Sequence, residues 1–404
     1  MLEFAKKFSN FCFLDNHDYE FDKSYDCIAA CGNIQSIISD EKNGLESLDK
    51  FLKQNNDWIF GHVSYDLKNQ IENLSSNNKD GIGFPDFYFF VPQVVFILSK
   101  ETVKIGAGEN IDTAEIFEQI ISIIPNKKMF VQAVLESRFS KQEYLQTIEY
   151  LQQHILRGDC YEICFCQEYF AENVQIDPVN VFKTLCQISP NPFAAFYKLD
   201  EKYLLCASPE RYLKKTGDVI ISQPIKGTSK RTDENAESEI EKLHTDEKER
   251  AENVMIVDLV RNDLSKICDE GSVLVKEFQK IYSFPQVHQM ISTISGKLRE
   301  GISFGEILSA TFPMGSMTGA PKKRVMELIE KYEKTKRGLF SGTVGYISPA
   351  GDFDFNVVIR SILYNEKNGY ISIQAGSAIT WKSIAEKEYE ECKVKMEAMV
   401  NSLI

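Results

Sequence analysis

Lys226 stands in Ser222-Gln223-Pro224-Ile225-Lys226-Gly227-Thr228, directly after the β-branched run Val219-Ile220-Ile221. Proline fixes φ and removes a backbone donor, and glycine opens conformations closed to other residues. The lysine is therefore expected in a constrained turn at a strand end. Two pairs of carboxylates offer the next chemistry. Glu249 and Glu252 are three apart in a helical stretch; Glu388 and Glu391 repeat the spacing near the C-terminus, with Lys395 one turn beyond. Residues three apart on a helix share a face. Two such faces brought together would hold one Mg²⁺, which takes oxygen ligands octahedrally and keeps waters for a substrate to replace. Taken alone, each pair reads first as solvated surface. The apolar run Val254-Met255-Ile256-Val257 and the polar Arg261-Asn262-Asp263 beyond it raise the case for the first helix. Polar groups buried there without partners would cost about 1–3 kcal/mol each.

A glycine-rich stretch, Thr311-Phe312-Pro313-Met314-Gly315-Ser316-Met317-Thr318-Gly319-Ala320-Pro321-Lys322, lacks the Gly-Lys-Ser/Thr ending of a P-loop. Its amides and the Ser316 and Thr318 hydroxyls can cradle a carboxylate at the N-terminus of a following helix, or it is a plain turn. Arg360, after Asn356-Val357-Val358-Ile359, offers a bidentate carboxylate clamp or a structural ion pair. Together these residues suggest a small, multiply anionic substrate, one Mg²⁺ and a constrained lysine.

The elements that must position them are mixed. Trp58 to Tyr65 and Phe87 to Ile97 are aromatic and β-branched runs of buried strands. Ser140 with Glu143 forms a capping box before a helix that buries Leu145, Ile148, Leu151 and Ile155. Tyr161 to Phe170 alternates as a strand, with Glu162, Cys164 and Cys166 on one face. Tyr203 to Ala207 is another strand, stopped at Pro209. The charged stretch 229–250 reads as solvated loop or exposed helix, and Glu249 to Leu264 as one helix. Strands follow at Gly342 to Ser348, Phe355 to Tyr364 and Gly369 to Ala375, and Ser383 with Glu386 suggests a capped last helix. A weak boundary near the Asn110 to Lys128 connector divides a β-rich region, 1–125, from a catalytic region, 130–404, within one fold.

The 404 residues allow two or three conventional domains or one large α/β unit, and 43% hydrophobic with 26% charged residues is the composition of an ordinary soluble globular protein. A formal charge of -13 argues against nucleic-acid or anionic-membrane surfaces, and no apolar run approaches a membrane span. Without a signal-peptide layout, the protein is expected to be cytoplasmic. Ten scattered cysteines are expected reduced and mostly buried, and five histidines make a His-rich metal site improbable.

The blocks GDCYEICFCQ, ASPERYL, QPIKGTSKR, KERAENVMIVDLVRNDL, FPMGSMTGAPK, FDFNVVIRS and EKEYEECKVK, in this order over residues 135–400, resemble the chorismate-utilising enzymes. That family includes aminodeoxychorismate and anthranilate synthase components I and the isochorismate and salicylate synthases. The resemblance implies an α+β fold in which large antiparallel β-sheets pack together under helices. A lysine at 226, where the anthranilate, isochorismate and salicylate enzymes usually carry alanine, resembles the aminodeoxychorismate synthases. It implies that Lys226 attacks C2 of chorismate as the 4-hydroxyl leaves, and that ammonia then adds at C4. Covalent catalysis of this kind divides one hard displacement into two. Glu210 would be the general acid. Glu252 and Glu391 would bind Mg²⁺ directly, with Glu249 and Glu388 acting through water. Arg360, Lys395, Thr228, Thr318 and the backbone at Gly376 would bind substrate.

The implied partners are a glutamine amidotransferase subunit that supplies ammonia and a separate aminodeoxychorismate lyase. Anthranilate synthase component I and a non-catalytic chorismate-binding subunit are the alternatives. Two positions depart from the family. Glu162 stands where water-adding members have lysine and amine-adding members usually glutamine, and Gln289 stands where many have histidine. The mechanism adds one demand: to attack, Lys226 must be neutral, which calls for a pKa below the ~10.4 of a free lysine.

Overall fold

In the strand Lys202–Ser208, every residue after the first is buried. Alternation sends Leu204 and Cys206 into one apolar cluster and Leu205 and Ala207 into another. Both faces are covered, so the strand reads as a continuous apolar run. The first cluster lies between two sheets and includes Leu204 and Cys206 from one and Phe60, Phe89 and Phe355 from the other. The second packs under helices, including Phe182 and Leu185 of Pro178–Ile188 and Met396 and Met399 of the C-terminal helix, Ala385–Asn401.

The computed structural model describes residues 1–20, 22–39, 44–124, 133–231, 236–284 and 287–404. Among these, the strands form an 11-stranded and a 10-stranded sheet, and their ladders are antiparallel. Helices cover them, as the expected fold class requires. N-terminal strands are woven into both: Asn10–Asp15 pairs with Phe193–Leu199, and Ile59–Val63 with Thr343–Ile347. The boundary expected between 125 and 130 lies outside the described residues. All ten cysteines are unpaired, and all but Cys27 and Cys186 are buried.

Local expectations fared unevenly. The Ser140 capping box is present, with both reciprocal hydrogen bonds. Ser383 caps no helix; its hydroxyl accepts from the Thr380 amide, and the last helix starts at Ala385. Within the stretch 229–250, the described residues form the end of a strand, the helix Ala236–Thr245 and the start of the helix Glu247–Ser265. The single strand expected from Phe355 to Tyr364 is two, Phe353–Asn356 in one sheet and Ser361–Asn365 in the other. Between them the fully buried Val357 and Val358 carry the chain through the core, and an apolar run alone does not distinguish that crossing from a strand.

Candidate active site

Strands Val219–Gln223 and Ile225–Lys230 both pair with Val287–Lys297, interrupted only by Pro224. The register slips between Ile225 and Thr228, and Gly227 has φ +91. Lys226 therefore sits at a bulge within a strand, not in a turn. The positive φ favours glycine at 227, and space there is tight: a Cβ would lie 3.0 Å from Leu243 Cδ1 and 3.4 Å from Glu249 Oε2, where two helices close over the strand.

The bulge aims Lys226 at acids. Its Nζ is 3.0 Å from Glu162 Oε1 and 3.7 Å from Glu252 Oε2, and its side chain is only 10% exposed. Burial alone would lower its pKa, but Glu162 and Glu252 outweigh burial and hold the ammonium well above the ordinary lysine range. The lowered pKa expected from the sequence is not found here, because the two carboxylates that bury the amine also stabilise its charge.

Glu210 is buried, and its Oε1 accepts a hydrogen bond of 2.7 Å from Ser316 Oγ. Burial raises its pKa to about 7, against the smaller opposing pulls of Ser316 and Lys226. A carboxyl that keeps its proton near neutral pH is a competent general acid. The glycine-rich stretch that delivers Ser316 is a 3₁₀ turn, Gly315–Met317, followed by the short strand Gly319–Ala320, which pairs with Ile163 and Glu162. Thr318 is buried, and its hydroxyl donates to the Met314 carbonyl at 3.1 Å, so here the hydroxyl braces the loop.

On the C-terminal helix, Lys395 Nζ donates to the Gly376 carbonyl at 2.9 Å and pairs with Glu391 at 2.5 Å. Arg360, with φ 52 at the sheet crossing, donates from Nη1 to the Lys395 carbonyl at 2.7 Å. Burial lowers its pKa to about 10, partly offset by Glu391. A Cβ at Gly376 would meet Cys166 Sγ at 2.4 Å, so only glycine lets the two strands approach. Burial alone would raise the Glu391 pKa, but Lys395 and other nearby lysines bring it below the ordinary value. Thr228 is exposed on the Lys226 strand, opposite Gln289 across the ladder.

The four helical carboxylates share one electrostatic field. Glu252 is pushed to about 8 by burial and by repulsion from Glu162 and Glu249, against the pull of Lys226. Glu249 is raised by burial first and then by Glu391, Lys248 opposing. Glu252 Oε1, Glu388 Oε2 and Glu162 Oε2 are buried without a hydrogen-bond partner. Crowded, under-satisfied carboxylates of this kind call for a cation. Among the described residues no three acidic, histidine or cysteine side chains form a ready-made metal cage. Mg²⁺ usually takes one or two protein carboxylates and fills its shell with water and substrate, so the donor set fits that ion.

The family model for chorismate binding enzymes matches residues 9–401. The chain belongs to that family. It is similar to aminodeoxychorismate synthase component 1 of Bacillus subtilis, 32% identical over 85% of this chain and 76% of that protein. It is also similar to anthranilate synthase component 1 of Aquifex aeolicus, 32% identical over 85% of this chain and 74% of that one. The solved anthranilate synthase component I of Streptococcus pneumoniae superposes with a TM-score of 0.82 at 25% identity, over 97% of this chain and 92% of that one. Among the described residues, no helix is long and apolar enough to cross a membrane.

In this chorismate-binding enzyme several supporting residues escaped the sequence reading. Lys322 Nζ bonds Asp263 Oδ2 at 2.6 Å and the Thr311 carbonyl at 3.1 Å, tying the glycine-rich loop to the Glu252 helix. Arg337 and Glu333 form a buried pair whose guanidinium also reaches the Met317 and Cys164 carbonyls. Lys248 bridges the two carboxylate helices. Its signal was present, four residues before Glu252, but that spacing also describes an ordinary surface pair.

Proposed function

We propose that the protein is an aminodeoxychorismate synthase component I, which converts chorismate and ammonia to 4-amino-4-deoxychorismate on the way to p-aminobenzoate and folate. The observation that supports this reading is Lys226, inward-facing between Glu162 and Glu252, at the position where the other branches of the family usually carry alanine. Lys226 first sheds a proton, for which Glu162 Oε1 is the nearest acceptor. The neutral Nζ bonds to C2, the ring double bonds shift, and the C4–O bond breaks; the Glu210 proton leaves with the hydroxyl as water. Ammonia then bonds to C4, the double bonds shift back, and the C2–Nζ bond breaks, releasing Lys226 as the amine.

Glu252 and Glu391 would hold Mg²⁺ directly, with Glu249 and Glu388 acting through water. When bound, the ion supplies charge neutralisation at the ring carboxylate. Lys395 and Arg360 would bind carboxylates of the substrate. In keeping with the component 1 designation of the Bacillus subtilis relative, a glutamine amidotransferase subunit would supply ammonia, a separate lyase would eliminate pyruvate, and the setting would be the cytoplasm.

A second reading, anthranilate synthase component I, is favoured by the equal 32% identity to the Aquifex aeolicus enzyme. Incubation with chorismate, ammonium and Mg²⁺, with and without aminodeoxychorismate lyase, separates the readings. p-Aminobenzoate formed only with lyase supports the proposal, fluorescent anthranilate formed without lyase replaces it, and chorismate binding without turnover indicates a non-catalytic subunit.

A further inference from the structure

Three ammonium groups face the carboxylates of the two helices, and they are held differently. Lys226 has a buried stem and is fixed to Glu162. Lys395 is held by Glu391 on its own helix and by the Gly376 carbonyl. Lys248 reaches from the Glu252 helix to the C-terminal helix, its Nζ 3.0 Å from Glu388 Oε1 and 3.8 Å from Glu252 Oε1. Its side chain is 36% exposed, so it has an open route to solvent.

Lys248 satisfies these acids incompletely. Glu252 Oε1 lies beyond hydrogen-bond reach of it, and Glu388 Oε2 has no hydrogen-bond partner, although Glu252 is only 6% and Glu388 2% exposed. One positive charge thus spans two acids that can accept more. A divalent ion on the same acids would stand within a few ångströms of the ammonium, and like charges so close in a half-buried setting repel strongly.

We propose that Lys248 is a tethered counter-ion of the metal site, bridging Glu252 and Glu388 until a divalent cation displaces it towards solvent, and thereby setting the metal affinity. This rests on the metal reading above. The plain alternative is an inter-helix salt bridge with no bearing on metal.

The test titrates Mn²⁺ into the full chain without chorismate and follows the free-ion signal by electron paramagnetic resonance. Lys248→Met should bind Mn²⁺ up to about fivefold more tightly than the wild type, the order of one partly exposed ion pair. Lys248→Arg, which keeps the charge, should stay close to wild type. Unchanged or weaker binding by a folded Lys248→Met overturns the proposal; if Glu252→Gln still abolishes binding, the metal reading stands without it. Should neither wild type nor variant bind Mn²⁺ saturably, the metal reading falls and the proposal falls with it. Lys248→Gln carries the same expectation should the methionine variant fail to fold.

Discussion

Lys226 Nζ and Glu162 Oε1 lie 3.0 Å apart in a buried ion pair, so the residue proposed as nucleophile rests as an ammonium. An attacking amine must first lose that proton, and Glu162 is both the group that stabilises it and the nearest one to take it.

Glu162→Gln separates these roles. Removing the charge leaves Glu252 as the near carboxylate, so the Lys226 pKa should fall. An amine that must be neutral gains activity as pH rises through its pKa, so the rising limb of the kcat/KM profile should move to lower pH. Lys226→Ala should abolish any protein–substrate adduct seen by intact mass spectrometry. Full synthase activity in Lys226→Ala would remove the lysine from the nucleophile role.

Glu210 carries the opposite sign. A general acid works while protonated, and burial sets its pKa near 7, so kcat/KM should decline as pH rises through about 7. Glu210→Gln should cost about 10²- to 10⁴-fold in kcat and lose that falling limb. Ser316→Ala, which removes the 2.7 Å hydrogen bond to the carboxyl, should shift the limb upwards, since that bond favours the ionised form.

What the chain's order of residues disclosed depends on the distance over which each feature is determined. The Glu249 and Glu252 spacing and the alternation that places Glu162, Cys164 and Cys166 on one face are local, and the structure contains both. The bulge at Lys226 arises from a register slip against Val287–Lys297, a partner far along the chain, so Pro224 and Gly227 looked like the ends of a turn. The lysine's protonation was illegible for the same reason. Burial was foreseeable, but the acid that reverses its effect is 64 residues away. Thr318 shows the converse: a hydroxyl in a plausible binding loop bonds to a carbonyl four residues back.

The metal reading makes a stability prediction. Burial first, and then repulsion from Glu162 and Glu249, push the Glu252 pKa to about 8, and a bound divalent cation offsets both by favouring the ionised carboxylate. Ligand bound only by the folded state adds about 2.7 kcal/mol at a hundred times its Kd. Thermal unfolding of the wild type should therefore shift upwards with millimolar Mg²⁺, and Glu252→Gln should lose the shift without losing its own cooperative transition. An equal shift in both proteins would place the ion elsewhere.

Arg337 should prove a structural hinge of the site. Its Nη2 bonds Glu333 Oε1 at 2.6 Å and the Cys164 carbonyl at 2.7 Å, and its Nη1 bonds the Met317 carbonyl at 2.6 Å. Glu333 Oε1 in turn accepts from the Cys166 amide at 2.9 Å. One buried ion pair thus joins the strand that carries Glu162 to the loop that carries Ser316. Arg337→Met would leave Glu333 buried and unpaired, a change that costs about 3–5 kcal/mol. Replacing both by methionine removes the stranded charge and should cost less than the single substitution. Denaturant unfolding of the two variants measures the difference. A double variant less stable than Arg337→Met would show that Glu333 holds the strand through the Cys166 amide even without its arginine, and that its stranded charge is not the main cost.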